Sequence, residues 1–211
     1  MSSKKDIRSL NEDELKEILT NNSFKSFRAN QIYHWIWKKS AHSFDEMSNL
    51  PESLIKFLKD NFVINFIKVH RMQKSFDGTI KNAIKLFDGY IVECVLIPTK
   101  NRITACVSSQ VGCSLNCKFC ATAKLKRMRN LNPDEIYDQV VLIHQQSIEH
   151  FQRPLTNIVF MGMGEPLMNY NNVLSSIGKI TSKSGLGISP KRIVVSTSGI
   201  PKMIKKIADQ G

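Results

Sequence analysis

From residue 99 onward the chain repeats one pattern three times: an apolar strand, a loop carrying glycine or cysteine, and an amphipathic helix. RITACVSS, TNIVFMG and RIVVSTS supply the strands, and NPDEIYDQVVLIHQQSIEH, NNVLSSIGKITSKS and PKMIKKIADQ the helices. Asn132 caps the first of these helices with Pro133 at its first position, and Pro201 stands near the start of the last. Successive βα units imply a parallel sheet with right-handed crossovers. In such sheets the loops that leave the strand C-termini gather on one rim, where sites are built. Three segments spread over some ninety residues of sequence, the cysteine loop, MGMGEPLMN and STSG, are therefore expected at one place. Three parallel strands leave an apolar edge bare. The expectation is the front part of a longer protein; a partner chain that completes the sheet is the other reading.

Upstream the period differs. Asn11 caps NEDELKEILTNN, whose first turn is acidic as the helix dipole favours. SFRANQIYHWIWKKS and, after Pro51, ESLIKFLKDNF read as two more helices. Ile32, Trp35 and Ile36 fall on one face, and Trp35 and Trp37 read as core. Near residue 63 the period becomes two: VINFIKVHRM, TIKNAIKLF and YIVECVLIP are strands, the last three joined through two FDG turns and closed by Pro98. The predicted organisation is a helical domain over 1–62, an antiparallel β extension over 63–98 and an α/β core over 99–211.

With 211 residues and no apolar run near the roughly 20 needed to span a bilayer, the chain reads as cytoplasmic, without a membrane partner or signal peptide. A formal charge of +12 favours a polyanionic partner, nucleic acid first. KLKRMRN, directly after the cysteine loop, would set Lys124, Lys126, Arg127 and Arg129 against phosphates.

Cys113, Cys117 and Cys120 are spaced C-x3-C-x2-C, too tightly for a disulfide framework. Structural zinc takes four ligands, and Cys106, His144 and His150 offer no obvious fourth. An iron–sulfur cube held by three cysteines leaves one iron open to a small chelating ligand, and this is the stronger reading. Glu93 alternates with Ile91, Val95 and Ile97, an odd place for a carboxylate.

The cysteine triplet, with Phe119 before its last member, resembles the radical S-adenosylmethionine enzymes, in which the cosubstrate occupies the open iron. FRANQIYHWIW, SFDEMSNLP, FDGTIKNAIKLFDG, VECVLIP, CVSSQVGCSLNCKFCATA, TNIVFMGMGEPLMNYNNV and RIVVSTSGI are similar to the bacterial adenine C2-methyltransferases of 23S ribosomal RNA. The resemblance implies a partial (βα) barrel, stopped after about three units, with a [4Fe-4S] cluster on Cys113, Cys117 and Cys120. It implies S-adenosylmethionine contacts at Gly164, Glu165 and Ser196, with Glu165 facing the ammonium group. Glu93 becomes a general base with a pKa raised by an apolar setting, and Cys106 the cysteine that resolves an RNA–protein adduct. Cys94 is packing.

The partners so implied are 23S rRNA, some tRNAs and an electron donor protein, for a monomer when complete, with residues 1–62 as an accessory RNA-binding domain. A disulfide bond comes with the resemblance. The methyl-carrying cysteine of that chemistry is expected beyond residue 211, so this chain is expected to bind a cluster without completing methyl transfer. The alternatives are an adenine C8 methyltransferase and a zinc-stabilised RNA-binding module without catalysis.

Overall fold

The computed structural model of the chain describes residues 4–210, so the outermost ends of the expected domains, residues 1–3 and 211, lie outside the described residues. The chain divides into two compact units, residues up to 66 with 179–187, and 67–178 with the remainder after 188.

The first unit is helical. β1 (Lys5–Asp6) precedes α1 (Glu12–Asn21), whose cap is a reciprocal pair: Glu14 N–H donates to Asn11 Oδ1 at 2.8 Å and Asn11 N–H to Glu14 Oε2 at 2.7 Å. Two helical N–H and cap groups are satisfied at once, which is why the helix starts there. α2 (Arg28–Tyr33) runs into a π-helical turn over His34–Lys38, and α3 (Glu52–Asn61) follows Pro51. Leu15, Leu19, Ile32, Ile36, Trp37, Leu54 and Leu58 are buried. Trp35 is not in this core: its Nε1–H donates to Asn49 Oδ1 at 2.6 Å and Lys39 Nζ lies 3.7 Å from its ring centre. The π turn widens the helix by one residue, so a face drawn at 3.6 residues per turn slips from Trp35 to Trp37.

The period-two run that starts near residue 63 is also broken. β2 (Phe62–Val63) pairs in parallel with β1. Beyond it Asn65 N–H donates to Asp6 Oδ2 at 3.0 Å and the Phe66 ring stacks on His42 at 4.0 Å, contacts that take the chain out of strand geometry until residue 68.

The second unit is α/β. Its strands are β3 (Lys68–Lys74), β4 (Ile80–Lys85), β5 (Ile91–Pro98), β6 (Ile103–Cys106), β7 (Gln110–Val111), β8 (Arg129–Asn130), β9 (Asn157–Phe160) and β10 (Ile193–Val195). Its helices are α4 (Pro133–Phe151), α5 (Tyr170–Thr181), which ends in the first unit, and α6 (Pro201–Gln210). Six strands form one sheet in the order β10-β9-β6-β5-β4-β3, and β7 pairs with β8 apart from it. The trio β6, β9 and β10 is parallel, as the repeated units predict. Because β5 pairs antiparallel with β6, the hairpin strands extend this same sheet. Each FDG turn places its glycine at positive φ, +86° at Gly78 and +88° at Gly89, where a side chain would be strained.

Side chains alternate across the sheet. Ile80, Ile84, Val92, Cys94, Leu96, Ile103, Ala105, Ile158 and Phe160 are buried on one face. α4 covers this face, and the buried amides of Asn82 and Gln146 exchange two hydrogen bonds there, at 2.8 and 2.9 Å. The opposite face is open, and Cys106, Glu93 and Val95 lie on it. No helix among the described residues is long and apolar enough to cross a membrane.

Candidate functional site

The loops after β6, β9 and β10 meet at one end of the sheet, and backbone packing between them leaves no room for side chains at two glycines. A Cβ on Gly162 would stand 2.7 Å from Ser108 Oγ, and one on Gly164, at φ +93°, 2.5 Å from Gln110 Cβ. Ser108, Ser109 and Gln110 are buried polar residues, and their hydrogen bonds hold the rim together. Met163 N–H donates to Ser108 Oγ at 2.8 Å, Glu165 N–H to Gln110 Oε1 at 2.9 Å, and Asn169 Nδ2 to Ser109 O at 2.8 Å. From below, Gln139 of α4 accepts Ser108 N–H at 2.8 Å and returns a bond to Ser108 O at 3.1 Å. Sequence reasoning missed this polar layer. Its signal was Gln139 inside the apolar stripe of Ile136, Val140 and Ile143, where an unpartnered amide would be costly.

The cysteine loop rises from β7 and returns to β8. Gly112, at φ +72°, turns the chain into it; Cys113 N–H donates to Leu125 O at 3.3 Å and Cys120 N–H to Cys117 O at 3.0 Å. All five cysteines are free, so the expected disulfide is not present. The reason is geometric for the strand pair: Val95 faces Cys106 in register, which turns Cys94 and Cys106 to opposite faces of the sheet. Among the described residues no three His, Cys, Asp or Glu side chains are drawn into a ready-made metal cage. The donor set nonetheless fits an iron–sulfur cluster: three half-buried, soft thiols on one loop, none engaged in a covalent bond. To hold one, the loop must bring its sulfurs together.

Beside this loop lies a cleft of about 230 Å³ lined by Phe119, Met161, Gly164, Glu165, Ser196 and Ser198, among others. Three expected cosubstrate residues and the aromatic neighbour of Cys120 thus share one wall. Glu165 is only 4% exposed, and its carboxylate is already well partnered. Oε1 accepts Leu167 N–H at 3.1 Å, and Oε2 accepts the Ser198 N–H at 2.8 Å and hydroxyl at 3.0 Å. It caps the short 3-10 turn at Pro166–Asn169 and ties the loop after β10 to the loop after β9.

Cys106 and Glu93 stand on the open face of the sheet on neighbouring strands, and the Met161 N–H that reaches Cys106 belongs to a cleft-lining residue. Burial raises the Cys106 thiol above its ordinary value, with that N–H opposing. Cys94, on the helix side, is pushed up to about 12 by burial. Iodoacetamide is therefore expected to leave Cys94 unmodified at neutral pH and to label Cys106 only as pH rises past the ordinary thiol range. Peptide mass mapping over a pH series checks this; rapid labelling of Cys94 would contradict its place in the core. Glu93 does not have the apolar setting expected of it. Its carboxylate is 47% exposed and lies 3.1 Å from Lys81 Nζ, because β4 sets a lysine beside it on the same face.

The basic run behaves differently from the sequence expectation. Lys124 and Lys126 are exposed, but Arg129 is a structural cation. Its guanidinium grips Glu135 through two bonds of 2.7 Å, pairs with Asp88 at 2.5 Å and lies over the Phe87 ring. Glu135 is the N3 residue of α4 and needs a counter-charge where it is buried. Arg129→Ala is expected to cost about 2–3 kcal/mol, somewhat below a fully enclosed pair because the arginine keeps some solvent contact. Partial burial pulls Asp88 up, but the hydrogen bond and charge of Arg129, joined by backbone N–H donors, together outweigh it, so its carboxyl lies below the usual range. The pair therefore supports the fold above the ordinary aspartate value of about 3.9 and loses that support as pH falls through the lower folded value. Thermal melts of parent and variant between pH 2 and 6 (about the span of this titration) should converge at the acid end. Curves that stay parallel would remove Asp88 from the argument.

A three-thiol loop at the C-terminal rim of the parallel strands, beside a glycine-walled cleft, fits the class of radical S-adenosylmethionine proteins, to which the family match assigns it. Residues 107–211 match the radical SAM superfamily model, and residues 5–64 match the model for the ribosomal RNA large subunit methyltransferase N-terminal domain. A probable dual-specificity RNA methyltransferase RlmN of Christiangramia forsetii is 68% identical over 98% of this chain and 58% of its own length. The protein of the same description from Flavobacterium johnsoniae is 63% identical over 98% and 59%. A solved radical SAM methyltransferase from Sphaerobacter thermophilus superposes with a TM-score of 0.86 at 36% identity, over 97% of this chain and 60% of that one. The chain belongs to the RlmN family, and spans about 58% of the length of the curated relatives it matches.

Proposed function

We propose that this chain is the cluster- and cosubstrate-binding portion of a cytoplasmic enzyme that methylates C2 of an adenine in 23S rRNA and in some tRNAs. The observation that carries this reading is the cleft shared by Phe119, Gly164, Glu165 and Ser196 beside three free thiols. In this reading Cys113, Cys117 and Cys120 hold a [4Fe-4S] cluster, and the cleft wall receives S-adenosylmethionine. The cluster, when bound, supplies the electron that cleaves the sulfonium of the cosubstrate, which ordinary displacement chemistry at an electron-poor ring carbon cannot replace. An electron donor protein would reduce it.

The protein's own residues then have separable tasks. Gly164 lets backbone form the cleft wall without a side chain, and Glu165 holds the loops after β9 and β10 at fixed spacing. Ser196 offers a hydroxyl at the cleft edge. Glu93, oriented by Lys81, would accept the proton leaving adenine C2. The Cys106 thiolate would attack the sulfur that links protein to RNA, so that a disulfide forms as the carbon–sulfur bond breaks and the released carbon takes up a proton. With three cysteines ligating, Cys106 so employed and Cys94 buried under α4, the methyl-carrying cysteine is not among these five. The chain alone is then unable to complete methyl transfer. The parallel strands β6, β9 and β10 would be the first part of a (βα) barrel of a monomeric enzyme, residues 1–62 an accessory RNA-binding domain, 63–98 a β extension and 99–211 the core.

Electron paramagnetic resonance on anaerobically reconstituted, reduced protein tests this. A cluster signal that shifts on adding S-adenosylmethionine is the expected result. Stoichiometric zinc without a cluster would overturn it in favour of a non-catalytic RNA-binding module.

A further inference from the structure

The open face of the sheet carries more than Glu93 and Cys106. Register places Ala83 of β4 opposite Arg71 of β3 on one side and Glu93 of β5 on the other. Along β4 its neighbours on the same face are Lys81 and Lys85, two residues away in each direction. The smallest side chain of the strand is thus a floor ringed by three cations and one carboxylate. Lys81 is taken up by Glu93. Neither Arg71 nor Lys85 has an ion-pair partner among the described residues, and both are exposed.

One more feature distinguishes this face from a merely solvated one. Lys68 lies directly opposite Lys85 in register. Like charges directly opposed across two strands destabilise the pairing, so this concentration of positive charge is kept at a cost to the sheet. A β-bulge at His70 lies between Lys68 and Arg71. With that extra residue both side chains come to the face of Lys81 and Lys85, although they are an odd number of positions apart.

We propose that the floor over Ala83, walled by Arg71 and Lys85, is a subsite for a backbone phosphate of the RNA substrate. It would seat the chain next to the nucleotide presented to Glu93 and Cys106. The proposal rests on the RNA-modifying reading above. Cross-strand neighbours are about 5 Å apart, so a phosphate over Ala83 is within one nucleotide's reach of the Glu93 carboxylate. Phosphate contacts of this kind fix position without reading sequence. The nucleotide beside such a contact is free to leave its stack.

The test is binding of a fluorescein-labelled RNA hairpin, with an unpaired adenine in its loop, by the 211-residue chain across a NaCl series. Arg71→Ala and Lys85→Ala are each expected to lower the slope of log K against log salt by about 0.7–0.9, and the double variant by about twice that. Lys205→Ala on α6 serves as the control and should leave the slope unchanged. Lys85→Ala relieves a like-charge pair, so its melting temperature should equal or exceed the parent's, which separates lost contacts from lost folding. Parent-like slopes in Arg71→Ala and Lys85→Ala, with the RNA bound, would overturn the subsite and leave the RNA reading intact. A parent chain that binds no RNA would overturn both.

Discussion

Cys117→Ala is expected to leave the protein without bound iron after anaerobic reconstitution while its fold persists. The argument is one of donors. Three free thiols share the loop, and among the described residues no other cysteine, histidine or carboxylate joins them as a preformed cage. Removing one leaves two, too few for a cube that already lacks a fourth protein ligand. The substitution is mild for the backbone, because the Cys117 carbonyl that accepts Cys120 N–H at 3.0 Å is retained by alanine. Iron per chain and the visible absorption band should fall to background, with the circular dichroism spectrum and melting temperature close to the parent's. Full iron loading in this variant would remove the loop from the role proposed for it. Cys94→Ser is the contrast: it should load iron but melt lower, since it exchanges a buried thiol for a hydroxyl in the layer under α4.

Gly112→Ala is expected to damage both stability and iron binding. The residue sits at φ +72°, and an added Cβ would lie 2.2 Å from Lys126 O and 2.7 Å from the adjoining carbonyl carbon. Those are backbone atoms of the returning limb of the loop, which cannot swing aside as a side-chain end can. Left-handed strain and overpacking together are expected to cost about 3 kcal/mol or more. The clash can be relieved only by separating Val111 from Arg129, the pair that closes the loop at its base. A lower melting temperature with reduced iron loading is the expected outcome, and unchanged values for both would show that the loop tolerates opening. Gly89→Ala is a useful comparison: it shares the positive φ but a Cβ there meets nothing within 4 Å, so it should show the strain without the loss of iron.

Both variants bear on how the site is assembled. The rim is held by buried polar groups, Ser108, Gln110, Gln139 and Glu165, that bond to backbone atoms of neighbouring loops. Each loop is therefore positioned by the others, and the cleft exists only when all three are in place. Glu165 illustrates the consequence. The family resemblance makes Glu165 a cosubstrate-facing carboxylate; in the folded protein it also accepts three hydrogen bonds from Leu167 and Ser198, which tie the loops to one another.

Local chemistry was legible in the sequence because its causes are local. The capping pairs at Asn11 and Asn132, Pro133 at the start of α4, the FDG turns and the three βα units depend on residues within a few positions of one another. The convergence of cysteine loop, GEP turn and STSG segment was legible too, because the topology of parallel βα units permits no other arrangement. What the tertiary structure decided depends on partners distant in sequence or on a small shift of register. The π turn moved Trp37 into the core in place of Trp35. Arg129, nominally part of a phosphate-binding run, was claimed by Glu135 and Asp88. Glu93, expected in apolar surroundings, met Lys81 across a strand pair, and the cations around Ala83 became one group only through the β3–β4 register and its bulge. A charge or a ring carries no mark in the sequence of which neighbour will satisfy it; burial and register settle that, since an uncompensated charge is too costly to bury and one residue of slip turns a side chain to the other face.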